Sequence, residues 1–469
     1  MVQVDTKIQN KKNPIINSHR TYNEIVQYLD ENWGQTKNFM AISQLDEIFG
    51  NLSKKLNIAI VSGTSGKSTT IHFTCKLFKE ENLKAGAFYT PHITLYNERF
   101  SINENYISNT SFTDIANKVI QTAQDNKIAA TSKDILTMMA LIFFHENNVD
   151  VAIFENSSMY GLDPVMYCNP KISAVTRIVA NSQDEDTHAG ITNIMTMITP
   201  NSHFVSADQN KLNLQIMAQL AESKGSIWSM PIRKLAPLQY PFEQLHGRCA
   251  ALAERITRIY IDNFSTSHGK VQVADSLLNK PKGLRGRPTL EAKKVAEMTP
   301  QRTIEQFWSE VVTTLPSRFQ LIQTKKSNIL LDNADNLDAL SNLFLGARLL
   351  CYQQDYKETS LIIACHEGQF DNEEFIKQAR YFFKKSSGSI AFCPTIPTTV
   401  GEKTKASWDV VKITNAAKTA KIKAKAYANF ADAFNAIKTA HNNAESLIVI
   451  TGSKSIISEY EKYKETIAE

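Results

Sequence analysis

No C-x-x-C pair and no apolar run of roughly 20 residues occurs anywhere in this 469-residue chain. The first absence leaves Cys75, Cys168, Cys249, Cys351, Cys365 and Cys393 unpaired by spacing, several of them in apolar surroundings. They read as reduced, mostly buried thiols of a cytoplasmic protein. The second excludes a spanning helix, so no membrane partner is expected. The stretch from Met1 to Pro14 lacks the apolar centre of a secretory signal. A large net charge is missing too. At +5 the balance implies no general nucleic-acid role. No internal repeat is visible. What remains is an apolar share of 42%, ample for buried cores, in a length that suggests two or three domains.

The most informative segment is Asn57 to Thr70. The apolar run Ile58-Ala59-Ile60-Val61 feeds the loop Gly63-Thr64-Ser65-Gly66-Lys67-Ser68, and Thr69 continues into a helical pattern. Glycines at both ends allow a sharp turn that brings backbone N–H groups close to phosphate oxygens. The helix start adds unpaired donors and a positive dipole end. Lys67 supplies a point charge, and the Ser68 hydroxyl suits Mg²⁺. Val61 stands where the standard phosphate loop has its first glycine, so the loop follows the shorter G-x-x-G-K-S form. The competing reading is a glycine turn ahead of an ordinary helix.

Beyond the loop the pattern alternates. Strands are expected at Leu56–Val61, Lys84–Tyr89, 150–154 and Ile172–Ile178, with helices at Thr69–Glu81, Phe112–Gln124 and Asp134–Asn147. Residues 21–50 read as one or two amphipathic helices. A basic, proline-broken stretch runs from Ser265 to Gln301 and contains Arg285-Gly286-Arg287-Pro288. Arginines flanking a glycine fit a narrow DNA groove, but a solvated linker is the plainer reading, and nucleic acid is not the expected partner. After Pro316 the alternation resumes, with strands at Ile329–Asp332, Ser360–Ala364, Gly388–Cys393 and Ser446–Thr451. Helices are expected there at Leu337–Tyr352, Glu373–Lys385 and Ala431–His441. The fold class is therefore α/β: a parallel-sheet ATPase-type domain over 1–264, a linker over 265–312 and a Rossmann-like domain over 313–469. Ligands should gather where strands end, at the phosphate loop, at Glu155 and after Thr176.

An ordered set of further motifs carries a resemblance. It comprises Thr90-Pro91-His92, Asn97-Glu98-Arg99-Phe100, Asp150 to Glu155, Leu315-Pro316-Ser317-Arg318-Phe319, Asp332-Asn333-Ala334-Asp335-Asn336 and Ile450-Thr451-Gly452-Ser453. Together with the loop it resembles the folylpolyglutamate synthase/dihydrofolate synthase family of the Mur-type ATP-dependent amide ligases. The resemblance implies a reaction in which ATP phosphorylates a carboxylate and an amino acid attacks the resulting acyl phosphate. It implies ATP on Gly63, Thr64, Ser65, Gly66, Lys67, Ser68 and Thr69, and Mg²⁺ on Ser68 and Glu155. It further implies a substrate-side role for His92, and Arg318 and Asp332 closing from the second domain. A pteroate- or folate-type acceptor, glutamate and a monomeric enzyme are the expectations. Asn97-Glu98-Arg99 reads equally as scaffolding or as an acceptor-binding segment.

Several positions depart from that pattern. Asp335 stands where the family has histidine. Ile194 is closest to the family's carbamylated lysine, and no lysine lies between Lys171 and Lys211. Asn181-Ser182 replaces an Asp-His pair. The run Asn156 to Gly161 is poor in glycine, and the base-binding pattern is weak around Leu245-His246-Gly247-Arg248. A nucleotide-binding relative that has lost ligation and acts as a binding or scaffold protein is the alternative function.

Overall fold

The computed structural model describes residues 19–180, 186–265, 303–311, 315–323, 328–397, 405–440 and 445–468. Two sheets organise the chain. The first is eight-stranded, in the order β4-β3-β2-β5-β1-β6-β7-β8. Its strands are β1 (Ile58–Ser62), β2 (Ala85–Phe88), β3 (Phe100–Ile102), β4 (Asn105–Tyr106), β5 (Val151–Glu155), β6 (Ile172–Val175), β7 (His203–Ser206) and β8 (Ile227–Ser229). The pairs β2–β3 and β3–β4 are antiparallel and the others parallel. The second is six-stranded, in the order β13-β12-β11-β14-β10-β9. It holds β9 (Gln320–Gln323), β10 (Asn328–Asp332), β11 (Glu358–Ala364), β12 (Ile390–Phe392), β13 (Ala424–Ala426) and β14 (Ser446–Gly452). Only β9–β10 runs antiparallel there.

The central strands β1 and β5 are buried along their whole length, which is why they read as unbroken apolar runs rather than alternating ones. Separate apolar clusters cover the faces of the first sheet and of the second. Register fixes the site. Val61 lies opposite Glu155 and Ser62 opposite Val175, so β1, β5 and β6 end together. In the second sheet Asp332 lies opposite Thr451.

Several contacts among the described residues join the halves. Helix Phe242–Tyr260 packs its later turns under the first sheet, while Phe242 and Leu245 reach the core of the second. Gly346 makes this approach possible. A Cβ there would sit 2.5 Å from the Phe319 ring and 2.8 Å from Leu245 Cδ1. Arg177 bonds Asp338 across the gap at 2.8 Å. Ile93, from the loop after β2, is buried in the apolar cluster of the second sheet with Leu331, Ile450 and Ile457.

Among the described residues no helix is long and apolar enough to cross a membrane. The stretch with Arg285-Gly286-Arg287-Pro288, and the segment Asn181-Ser182 to Glu185, lie outside the described residues. Helix Ile304–Glu310 returns to the first sheet, where Trp308 is fully buried and donates Nε1–H to Glu254 at 2.5 Å.

Candidate nucleotide site between the two sheets

The loop after β1 turns at Gly63 (φ 126°) and Gly66 (φ 87°). Both values lie where L side chains are strained. A Cβ on Gly63 would also fall 2.3 Å from Thr176 Oγ1 and 2.9 Å from the Arg177 carbonyl. We expect Gly63→Ala to cost about 1–3 kcal/mol of stability through that strain and to remove any nucleotide-induced rise in melting temperature. Thermal melts with and without Mg²⁺·ATP check both.

Helix Lys67–Glu80 starts at Gly66 with no side-chain cap. Helices elsewhere are capped by Ser108, Thr131 and Asn336. The first turn of this one therefore keeps its donors for a ligand. Thr64 is pinned beneath the loop, its N–H donating to the Arg177 carbonyl at 2.7 Å and its hydroxyl to the Val179 carbonyl at 3.1 Å. Lys67 folds back, with Nζ 2.9 Å from the Gly63 carbonyl oxygen and 3.4 Å from that of Thr64. Those weak acceptors hold the ammonium where a phosphate would outbid them.

Ser68 donates its hydroxyl to Glu155 Oε2 at 2.9 Å, and the Thr90 N–H approaches the same oxygen at 3.4 Å. A hydroxyl and one carboxylate are hard oxygen donors of the kind Mg²⁺ prefers, with phosphates and water filling the remaining positions. The pair fits such an ion. Among the described residues there is no cluster of three or more His, Cys, Asp or Glu side chains suited to a metal held by protein alone.

A cavity of about 270 Å³ opens over the loop and is walled on its far side by Arg318, Asp332, Asp335 and Lys454. Arg318 rides on a strained turn, flanked by Ser317 (φ 60°) and Phe319 (φ 48°). The end of β10 holds that turn. The Phe319 N–H donates to Asp332 Oδ2 at 2.8 Å, and the Asn333 N–H to the Ser317 carbonyl at 3.1 Å. Asp332 thus supports the arginine from behind. Burial pushes its carboxyl up to about 7, against the pull of the Phe319 N–H and Arg318.

Asp335 faces Lys454 across 3.7 Å. The charge that replaces the family's histidine is thereby matched by a cation from the helix after β14. Lys454 escaped the sequence reading, although it follows Thr451-Gly452-Ser453 directly. The rule that ligands gather at strand ends could have found it. The Arg177–Asp338 pair had no such signal. His246 also lines the cavity. It packs beside Phe242 and Phe73, and burial lowers it to about 4, with His72 adding to the effect.

His92 is placed differently from the cleft-facing role expected of it. Thr90 and Pro91 line the cavity, but His92 does not. It is 6% exposed, its ring lies 4.1 Å from that of Tyr96, and its Nδ1 accepts from Arg99 Nε at 2.8 Å. These contacts turn it inward. Asn97-Glu98-Arg99 is scaffolding for the same loop. Glu98 accepts the N–H groups of Ile93, Thr94 and Leu95 at 2.7–2.9 Å, and Asn97 donates to the Ile107 carbonyl at 2.9 Å. Ile194 is 1% exposed within the apolar core, so that position holds packing rather than a metal ligand.

No family model matches the chain. In sequence it is 26% identical over 227 residues to a dihydrofolate synthase/folylpolyglutamate synthase of Bacillus subtilis, covering 45% of this chain and 48% of that protein. A protein of the same description from Buchnera aphidicola subsp. Baizongia pistaciae is 31% identical over 133 residues, 28% of this chain and 30% of that one. The chain thus spans half or less of the length of these curated relatives. In fold it is similar to the Mycobacterium tuberculosis folylpolyglutamate synthase complexed with ADP, with a TM-score of 0.72, 16% identity, and 94% and 98% of the two chains covered. It is also similar to a bifunctional folylpolyglutamate synthase/dihydrofolate synthase with Mn, AMPPNP and L-glutamate bound, with a TM-score of 0.69, 17% identity, and 95% and 98% covered. The relatives in sequence are folylpolyglutamate and dihydrofolate synthases, and over nearly its whole length the chain has the fold of such proteins.

Proposed function

We propose that the chain is an ATP-dependent carboxylate–amine ligase that forms an amide through an acyl phosphate. One observation carries this reading. A Ser68–Glu155 pair and an uncapped helix start on one sheet face Arg318 and Asp332 on the other, across a single cavity. The triphosphate would lie along residues 63–69, with Lys67 leaving its carbonyl partners for the phosphates. Ser68 and Glu155 would hold Mg²⁺, which supplies charge neutralisation when bound. Arg318 would stabilise the transferring phosphoryl group, and Asp332 would keep that arginine in place. The carboxylate would approach past Thr90 and Pro91, with His92 supporting that wall from behind. The chain is divided for this purpose at 1–264, 265–312 and 313–469. One copy supplies both walls, which supports a monomer.

The names of the relatives, and the L-glutamate bound in one of the similar structures, support a folate-type acceptor and glutamate as substrates. A second reading, nucleotide binding without ligation, is favoured by Ile194, whose buried place leaves no lysine for a second metal. Phosphate release with Mg²⁺·ATP and acceptor–amino acid pairs separates the two. Turnover that needs both acceptor and amino acid supports the ligase. ATP binding without release for any pair supports the scaffold.

A further inference from the structure

Arg99 is 2% exposed, yet no carboxylate bonds it directly among the described residues. Its guanidinium lies 5.4 Å from the ring centroids of Trp33 and of Tyr96, donates Nη1–H to Thr90 Oγ1 at 3.2 Å, and donates Nε–H to His92 Nδ1 at 2.8 Å. An arginine N–H can only donate, so the nitrogen facing it must be a bare acceptor. The imidazole is then neutral with its proton on Nε2.

The same guanidinium joins two places the fold must coordinate. On one side the Thr90 N–H meets Glu155 Oε2, the oxygen that also accepts from Ser68. On the other, one residue past His92, Ile93 is buried in the second sheet's core. We propose that Arg99 is a positioning residue: it locks His92 in the neutral Nε2–H tautomer and holds the Thr90–Ile93 loop as a fixed strut between the phosphate-loop carboxylate and the second domain.

The charges around this unit are consistent with a ring that stays neutral. Arg99 on the same segment and Lys454 from the facing helix both oppose protonation of His92, adding to the larger effect of burial. Tyr96, Asp163, Glu155 and Glu98 surround the guanidinium and favour its charged form, while burial lowers Arg99 to about 10, still charged at neutral pH.

The test is nitrogen-15 NMR of the full chain labelled at histidine, with the His92 signal assigned by loss in His92→Gln. The expected result is a single Nε2–H tautomer that does not titrate between about pH 8 and pH 5. A proton on Nδ1, or an imidazolium at neutral pH, overturns the proposal in the native protein, without needing any variant to fold. In Arg99→Ala the ring should show mixed tautomers, and an unchanged single tautomer there also overturns it. The kinetic arm rests on the ligase reading. Arg99→Ala should lower kcat about 10–100-fold, in the range seen when groups behind a site's contacting residues are lost, with ATP affinity within about twofold. A loss confined to ATP binding contradicts the strut. A native chain that shows the expected tautomer but no turnover leaves the lock standing and removes the ligase.

Discussion

Lys67→Ala is expected to lower substrate-dependent phosphate release by about 10²–10³-fold, the usual cost of removing one preorganised group that stabilises transferring charge. The reason lies in what holds the ammonium. Its partners are the Gly63 and Thr64 carbonyls, at 2.9 and 3.4 Å. These are neutral acceptors within its own loop, so the alanine variant loses little that folding needs. Melting in the absence of nucleotide should change by less than about 1 kcal/mol, as for a part-exposed site away from the core. Calorimetric titration of Mg²⁺·ATP should lose most of its heat. A variant that kept native turnover would show that the loop is a structural turn and not a triphosphate cradle.

Asp332→Asn should raise stability at pH 8 and leave it unchanged near pH 4. Asp332 has a folded pKa of about 7 against an ordinary value of 3.8, chiefly through burial. The native state therefore holds the proton more tightly than the unfolded chain does. That contribution is whole below about pH 4 and drains away as pH rises through about 7. Moving a carboxyl that far disfavours its charged form by roughly 4 kcal/mol, of which solvent reaching the half-buried side chain returns part. A gain of about 1–3 kcal/mol at pH 8 is expected, read from urea unfolding at both pH values. The asparagine carbonyl can still accept from the Phe319 N–H, so the turn carrying Arg318 should survive. Turnover should nevertheless fall, because the anion behind the arginine is gone. Equal stability changes at both pH values would show that the carboxyl is not strained by burial.

The sequence made the central strands legible, and with them the site's near wall. β1 and β5 are buried on both faces, so their residues are apolar without interruption, and Gly63 and Glu155 mark where each run ends. The lip of the sheet was harder. β3 and β4 are short, and β8 exposes Ile227 at 53%, so neither alternation nor continuity betrays them. The helix over the loop begins at Lys67, two residues before the expected Thr69, because Gly66 itself serves as the N-cap. The far wall was half visible. Arg318 and Asp332 sit in recognisable motifs. Lys454 and the Arg177–Asp338 pair exist only because distant segments meet, and local pattern carries no information about such meetings. His92 was misjudged for the same reason. Its neighbour Arg99 is close in sequence, but one of the rings packed on that arginine is Trp33, on the segment ahead of the first sheet.

Helix Phe242–Tyr260 has a practical consequence for dissecting this chain. Its first turn reaches the core of the second half, with Phe242 touching both cores and Leu245 seated where Gly346 leaves room, and its later turns belong to the first half. Cutting before the helix strips the first half of its floor. Cutting after it leaves Phe242 and Leu245 bare on that half and opens a greasy notch on the other. Neither piece should stay dispersed at high concentration, whereas co-expressed fragments divided beyond the helix should find each other and reassemble.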